Sequence, residues 1–248
     1  KKFHEIEKQK TFIDYKNKII ESKRRGFLQQ LIKENNKNFN LIAEIKKFSP
    51  SKGEICKKFN LNQIATDYER AGASCLSILT EKDYFKGNIE YLSEARKIVD
   101  IPLLRKDFII DEWQIYESYY FGADCILLIL AILDDKYAKK FYDTARELNL
   151  DVIVEVHNDK ELQRAIKLKF NCIGINNRNL KTLKIDLNTF IRLSKKIPNG
   201  VIKICESGLT NNNQLRKLCN KGADGFLVGE YLMASEDLKS KTMELIRK

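Results

Sequence analysis

Several apolar runs in this chain end in charged residues spaced as if aimed at one point. In LIAEIK, Leu41–Lys46, Glu44 and Lys46 break a run of Leu, Ile and Ala two residues apart. Side chains two apart on a strand point to the same side, so a carboxylate and an ammonium would meet. The pattern recurs. PLLRKDF carries Lys106 near its end, DVIVEV carries Glu155, CIGINN holds Asn176 with Arg178 just beyond, and VIKICES ends in Glu206 and Ser207. A buried charge is costly unless paired or solvated. Such groups either form an ion-pair network that closes a rim, or they bind an anion and move protons. For Glu44, Lys46, Lys106, Glu155 and Glu206 together the second reading is the stronger. Glycines follow the last two runs, in Ser207-Gly208-Leu209 and Gly229-Glu230. At those places backbone N–H groups can approach a phosphate closely.

These residues need a scaffold that gathers strand ends. Eight runs of strand length recur: Leu41–Lys46, Cys75–Thr80, Pro102–Phe108, Cys125–Leu130, Asp151–Val156, Cys172–Asn177, Val201–Ser207 and Gly225–Glu230. Helical periodicity separates them. Leu61, Ile64, Ala65 and Tyr68 share a face, as do Ile89, Leu92 and Ala95, and Tyr137, Phe141, Ala145 and Leu148. Leu162, Ala165 and Ile166 repeat the pattern, and so do Leu187, Phe190 and Ile191. Asp111, Asp134, Asn158, Asp186, Thr210 and Ser235 are placed as N-caps. Gly72-Ala73, Gly122-Ala123 and Gly222-Ala223 suit helix C-caps. The alternation predicts an α/β fold, a single (β/α)8 TIM barrel domain over residues 1–248, with residues 1–40 as an N-terminal helical extension. In that extension Ile19, Ile20, Phe27, Leu28, Leu31 and Ile32 need cover. The competing open doubly wound sheet lacks a G-x-G-x-x-G after its first strand.

Composition narrows the function classes. The formal charge is +11, yet the lysines are scattered among Asp and Glu rather than clustered on one face. Nucleic-acid binding is therefore not expected, and an anionic small molecule is. No apolar run approaches the roughly 20 residues of a membrane span. The N-terminus lacks a secretory apolar segment, so a cytoplasmic location is expected. Cys56, Cys75, Cys125, Cys172, Cys205 and Cys219 share no C-x-x-C spacing and read as small buried hydrophobes. With only His4 and His157, a zinc site or a histidine triad is poorly supported. His157, with Val156 between it and Glu155, reads as a rim histidine facing away from that carboxylate. Trp113 reads as core.

The sequence resembles the indole-3-glycerol phosphate synthase family. The resemblance runs from about Leu41 to Met233 through IAEIKKFSPSKG, LSILTEKDYFKGNIEYL, LLRKDFIIDEWQIYES, GADCILLI, VEVHN, IGINNRNLKTLKIDL, ESGL and GFLVGEYLM, in family order. It implies a barrel enzyme of tryptophan biosynthesis that needs neither cofactor nor metal. Its substrate would be 1-(2-carboxyphenylamino)-1-deoxyribulose 5-phosphate, which it cyclises with loss of carbon dioxide and water. By the same resemblance Lys106 is the general acid and Glu155 aids dehydration. Lys46 meets the substrate carboxylate, and Glu44 shares in the proton transfers. Asn176, Glu206 and Arg178 position the substrate. Ser49, Ser207, Gly208, Gly229 and Glu230 lie at the phosphate end, and Pro50, Phe85 and Phe108 line the aryl slot. Tyr231 and Phe48 depart from the small residues usual in the family.

Three further expectations accompany these. Lys106, near another cation in a dry pocket, should have a lowered pKa. The long loop after the first strand should close over substrate. A monomer is expected. Among other phosphate-binding barrels, a Schiff-base aldolase would want a lysine deep on strand six or seven. Only Lys203, early in strand seven, offers one.

Overall fold

The computed structural model describes residue 15, residues 24–33 and residues 37–248. Eight parallel strands close into a barrel: β1 (Leu41–Ile45), β2 (Cys75–Leu79), β3 (Leu103–Lys106), β4 (Cys125–Ile129), β5 (Asp151–Val156), β6 (Cys172–Asn176), β7 (Ile202–Glu206) and β8 (Gly225–Val228). Helices α1 (Leu61–Arg70), α2 (Glu90–Ile98), α3 (Trp113–Tyr120), α4 (Asp135–Glu147), α5 (Asp159–Lys167), α6 (Asn188–Ser194), α7 (Asn212–Cys219) and α8 (Leu238–Ile246) follow successive strands. A one-turn helix, Glu230–Met233, lies between β8 and α8. The ring closes where β1 pairs with both β2 and β8, Glu44 opposite Ser77 and Ala43 opposite Val228.

The period of two along each strand sorts the side chains. Leu41, Ala43 and Ile45 of β1 face the helical shell with Leu76, Val152, Val154 and Ile173. Ile42 turns inward to meet Cys75, Leu104, Cys125, Leu127, Ile153, Cys172, Ile204 and Leu227. The interior is thus packed with side chains. Four cysteines, Cys75, Cys125, Cys172 and Cys205, are buried free thiols, and Cys56 and Cys219 are half-buried. Burial pushes the Cys75, Cys125 and Cys172 thiols well above their usual pKa.

A short helix, Phe27–Ile32, closes the end of the barrel where the strands begin. Phe27, Leu28 and Leu31 join the inward cluster and are buried, and Cys75 Sγ donates to the Phe27 carbonyl. Asp124 accepts from the Arg25 N–H at 2.8 Å and Asp151 from the Leu28 N–H at 2.9 Å. The strand starts thereby tie down the orphan donors of the helix N-terminus. Ile32, expected to need cover, ends this helix pointing outward and is 60% exposed. Ile19 and Ile20 lie outside the described residues.

The capping pattern is partly as expected. Asp134 and Asn158 accept from Tyr137 and Glu161. Gly72, Gly122 and Gly222 adopt the left-handed conformation at φ 94°, 89° and 90°, which costs glycine little. Elsewhere the cap shifts. Asn211 rather than Thr210 caps α7, and Asp237 rather than Ser235 caps α8. Where cap-type residues adjoin, the backbone selects the one whose side chain reaches the N–H three residues on. α3 and α6 begin two residues beyond Asp111 and Asp186, though Asp186 still accepts from the Asn188 N–H. Tyr137 is exposed, unlike Phe141 and Ala145. It stands on the first turn of α4 and rests only its ring against Phe141, 5.8 Å between centroids.

Candidate active site

The strand C-termini open into a cleft of about 630 Å³. Glu44, Lys46, Lys106, Glu155, Asn176 and Glu206 line its floor and walls, where the inward-pointing positions of five strands end. Ser49, Pro50, Phe85, Phe108, Arg178, Ser207, Gly208, Gly229 and Glu230 line the same cleft.

Lys106 Nζ stands at the centre, 3.3 Å from Glu155 Oε2 and 3.6 Å from Glu206 Oε2. Lys46 Nζ donates to Glu44 Oε1 at 2.6 Å. Two glycines make room for this layer. A Cβ on Gly174 of β6 would overlap Glu206 Oε1, and one on Gly229 would crowd Glu44 Oε1. Glu206 Oε1 is buried without a hydrogen-bond partner among the described residues, so a polar ligand atom could complete it.

The charges hold one another. Burial opposes the Lys106 ammonium, yet Glu155, Glu206 and Glu44 outweigh it and push its pKa above the usual lysine range. The expected lowering is therefore corrected: Glu155, Glu206 and Glu44 face this lysine and override its dry setting. Burial would raise Glu155, but Lys106 and His157 hold it well below the usual carboxylate range. Burial and the Glu155 charge push Glu206 up, to about 8, against the pull of Lys106. Glu44, despite burial, is kept low by Lys46 and Lys106. The site thus combines a charged ammonium, an ionised carboxylate and a second carboxyl that burial and its neighbour push toward the protonated form.

His157 corrects another expectation. Val156 does not set it apart from Glu155, because residues two apart share a side. His157 Nε2 lies 3.1 Å from Glu155 Oε1, and Nδ1 lies 3.1 Å from Glu161 Oε2 of α5.

The loops are shaped by residues that carry no evident chemistry. Glu81 accepts from the N–H groups of Asp83, Tyr84 and Phe85. Its turn closes at Gly87, where a side chain would collide with the Leu79 carbonyl. That turn brings Phe85 to Phe108, 6.4 Å between ring centroids. Ser49 is buried in a hairpin of Phe48–Ser49 with Gly53–Glu54 that rises from the loop after β1. Asn177, the buried neighbour of Asn176, donates to the Glu206 and Ser207 carbonyls and accepts from the Phe190 N–H. It locks the ends of β6 and β7 together. At the glycine-rich side, Glu230 lies between Arg178 at 3.4 Å and Lys52 at 3.8 Å. Tyr231 also lines the cleft, with Lys241 Nζ 5.0 Å from its ring centroid. Trp113 is half-buried rather than core, with its indole N–H buried and unpartnered among the described residues.

Lys203 is the second residue of β7, outside the cleft lining, and its backbone N–H donates to Asp224. It does not supply the deep lysine of a Schiff-base site. Among the described residues no cluster of three or more His, Cys, Asp or Glu side chains is placed to hold a metal. No helix there is long and apolar enough to cross a membrane.

Comparison with known proteins gives this arrangement a context. The family profile for Indole-3-glycerol phosphate synthase matches residues 1–245. An indole-3-glycerol phosphate synthase of Campylobacter fetus is 45% identical over 218 residues, 88% of this chain and 84% of that one. One from Azospirillum brasilense is 49% identical over 208 residues, 84% of this chain and 79% of that one. Solved structures share the fold at lower identity. A 3-hexulose-6-phosphate synthase superposes with TM-score 0.66 at 15% identity, covering 84% of this chain and 98% of that one. A mutant tryptophan synthase alpha-subunit from Pyrococcus furiosus gives 0.63 at 16%, with the same coverage.

Proposed function

Because the chain belongs to the indole-3-glycerol phosphate synthase family, carboxy-lyases of tryptophan biosynthesis, we propose that this cleft cyclises 1-(2-carboxyphenylamino)-1-deoxyribulose 5-phosphate. Lys106 is the general acid and Glu155 the general base. The ring carbon bearing the carboxylate attacks the C2′ carbonyl carbon, and Lys106 Nζ protonates the carbonyl oxygen. The carboxylate leaves as carbon dioxide, and its electron pair restores the aromatic ring. Glu155 then takes a proton from the adjacent carbon while the Lys46 ammonium gives one to the new hydroxyl, which departs as water.

The observation that carries this reading is the Lys106 ammonium buried between Glu155 and Glu206 at the cleft floor. Such a lysine is fully protonated before reaction. An arriving carbonyl oxygen competes with the Glu155 carboxylate for its proton, and general acid catalysis of this kind contributes about 10²–10⁴ in rate. Lys46 meets the substrate carboxylate, with Glu44 holding its ammonium in place. Pro50, Phe85 and Phe108 flank the aryl ring, while Asn176, Glu206 and Arg178 orient the chain. Ser49, Ser207, Gly208, Gly229 and Glu230 border the phosphate, which the backbone N–H groups of that glycine-rich side would meet. The hairpin after β1 folds over the bound substrate. The protein works as one barrel domain, as a monomer, and takes no nucleic acid.

Incubation with this substrate should produce indole fluorescence. No fluorescence from the intact chain would overturn the proposed reaction. Shortening the hairpin should impair turnover; unaltered kinetics would remove its closing role.

A further inference from the structure

We propose that His157 is a positioning residue that selects which oxygen of Glu155 faces the reaction and keeps that carboxylate ionised. The inference rests on the proposed role of Glu155 as base.

His157 follows β5 immediately and projects on the same side as Glu155. Its side chain is 8% exposed and that of Glu155 3%. Both ring nitrogens lie 3.1 Å from carboxylate oxygens: Nδ1 is hydrogen-bonded to Glu161, and Nε2 is in ion-pair range of Glu155 Oε1 without hydrogen-bond alignment. A neutral imidazole would turn a lone pair on one of those oxygens. With a carboxylate near each ring nitrogen, the imidazolium suits both, by a hydrogen bond at Glu161 and by charge at Glu155. Burial disfavours the charge, but the two carboxylates raise the His157 pKa to about 9.

The far carboxylate is held firmly. Asn158 caps α5 by accepting from the Glu161 N–H at 3.1 Å, and Asn158 Nδ2 donates to Glu161 Oε1 at 2.6 Å. Glu161 Oε2 also accepts the backbone N–H of His157 at 2.7 Å. This reciprocal cap fixes Glu161. Glu161 then orients the imidazolium, and the imidazolium places its charge beside Glu155 Oε1. Only Oε2 is left to face Lys106, 3.3 Å away. The charged groups facing His157 are thus Glu155 and Glu161, with Lys106 and Glu206 beyond Glu155.

The test uses His157→Gln and Glu161→Gln in the full chain. Without its cation Glu155 becomes more basic, by about one pH unit as for loss of a single neighbouring charge. The acid limb of kcat/KM should move to higher pH by that amount in His157→Gln. On the falling part of that limb kcat/KM should drop about tenfold at fixed pH, with KM changed less than about twofold. Glu161→Gln should move the limb in the same direction by less. A residue that merely packs would lower stability and leave the limb where it was. An unmoved limb in both variants, or in Glu161→Gln alone should His157→Gln not fold, overturns the proposal. A separate readout survives failure of the proposed reaction. With only two histidines in the chain, proton NMR resolves the imidazoles, and His157→Gln identifies its signal. That signal should titrate above pH 8 in the parent chain and at lower pH in Glu161→Gln. Titration near the unperturbed value in both refutes the carboxylate clamp, whatever the substrate.

Discussion

Gly174 on β6 gives its side-chain space to the Glu206 carboxylate of the adjacent strand β7. The carboxyl sits against backbone, which burial and shape hold in one rotamer. Gly174→Ala should therefore displace Glu206 and cost about 1–3 kcal/mol, as overpacking does. Urea unfolding measures the loss, and kcat should fall with it. A variant as stable and as active as the parent would show that Glu206 has room to move.

Removing the central cation should be more severe for chemistry than for binding. Lys106→Met should lower kcat by at least about a hundredfold. Inhibition by a phosphate-bearing product analogue should stay within about threefold of the parent, since the glycine-rich side of the cleft is untouched. Full activity in this variant would remove Lys106 as the acid.

Glu230 turns a negative charge toward the proposed phosphate end while engaging Lys52 and Arg178. Glu230→Gln should release both cations for an incoming dianion. Inhibition by inorganic phosphate should tighten about two- to fivefold, the range of partly exposed ion pairs. Weaker inhibition would mean that Glu230 orders those cations rather than competing for them.

Stability should depend on pH through His157. Its folded pKa, about 9, lies above the ordinary 6.5. Its contribution, roughly 3 kcal/mol from that difference, is complete below pH 6.5 and disappears as pH rises through 9. Denaturation midpoints between pH 6 and 10 should fall along this limb, and His157→Gln should flatten it.

At the opposite end, Asp124 is buried against Arg96 and accepts from the N–H groups of Arg25 and Leu103. Asp124→Ala strands those N–H donors and removes the carboxylate that Arg96 engages. A loss of about 3–5 kcal/mol is expected, read by thermal or urea unfolding, with kcat of the folded fraction unchanged.

The barrel and its rim were legible because each strand is an apolar run of fixed length ending in a polar group. Glu44, Lys106, Glu155 and Glu206 stand out since nothing else explains a charge there. What surrounds each charge was not legible. The Lys106 pKa depends on strands 49 and 100 residues further along the chain, and one sequence does not state how those ends converge. The side His157 shares with Glu155 follows from the same period of two that pairs Glu44 with Lys46, so it was legible; its second partner, Glu161, comes from a helix turn whose direction only the folded backbone sets. Glu81, Asn177 and Gly174 were missed for a related reason. Their signals are an ordinary acid, an ordinary amide and a glycine, and their value lies in which neighbour they touch.

The segment Phe27–Ile32 fills the mouth opposite Lys106. Cohesion is thereby concentrated at one pole and reactivity at the other. Loops at the reactive pole can vary in length and composition while the sealed pole keeps the cylinder intact. An architecture divided this way lets the accepted ligand drift without eroding the foundation beneath it.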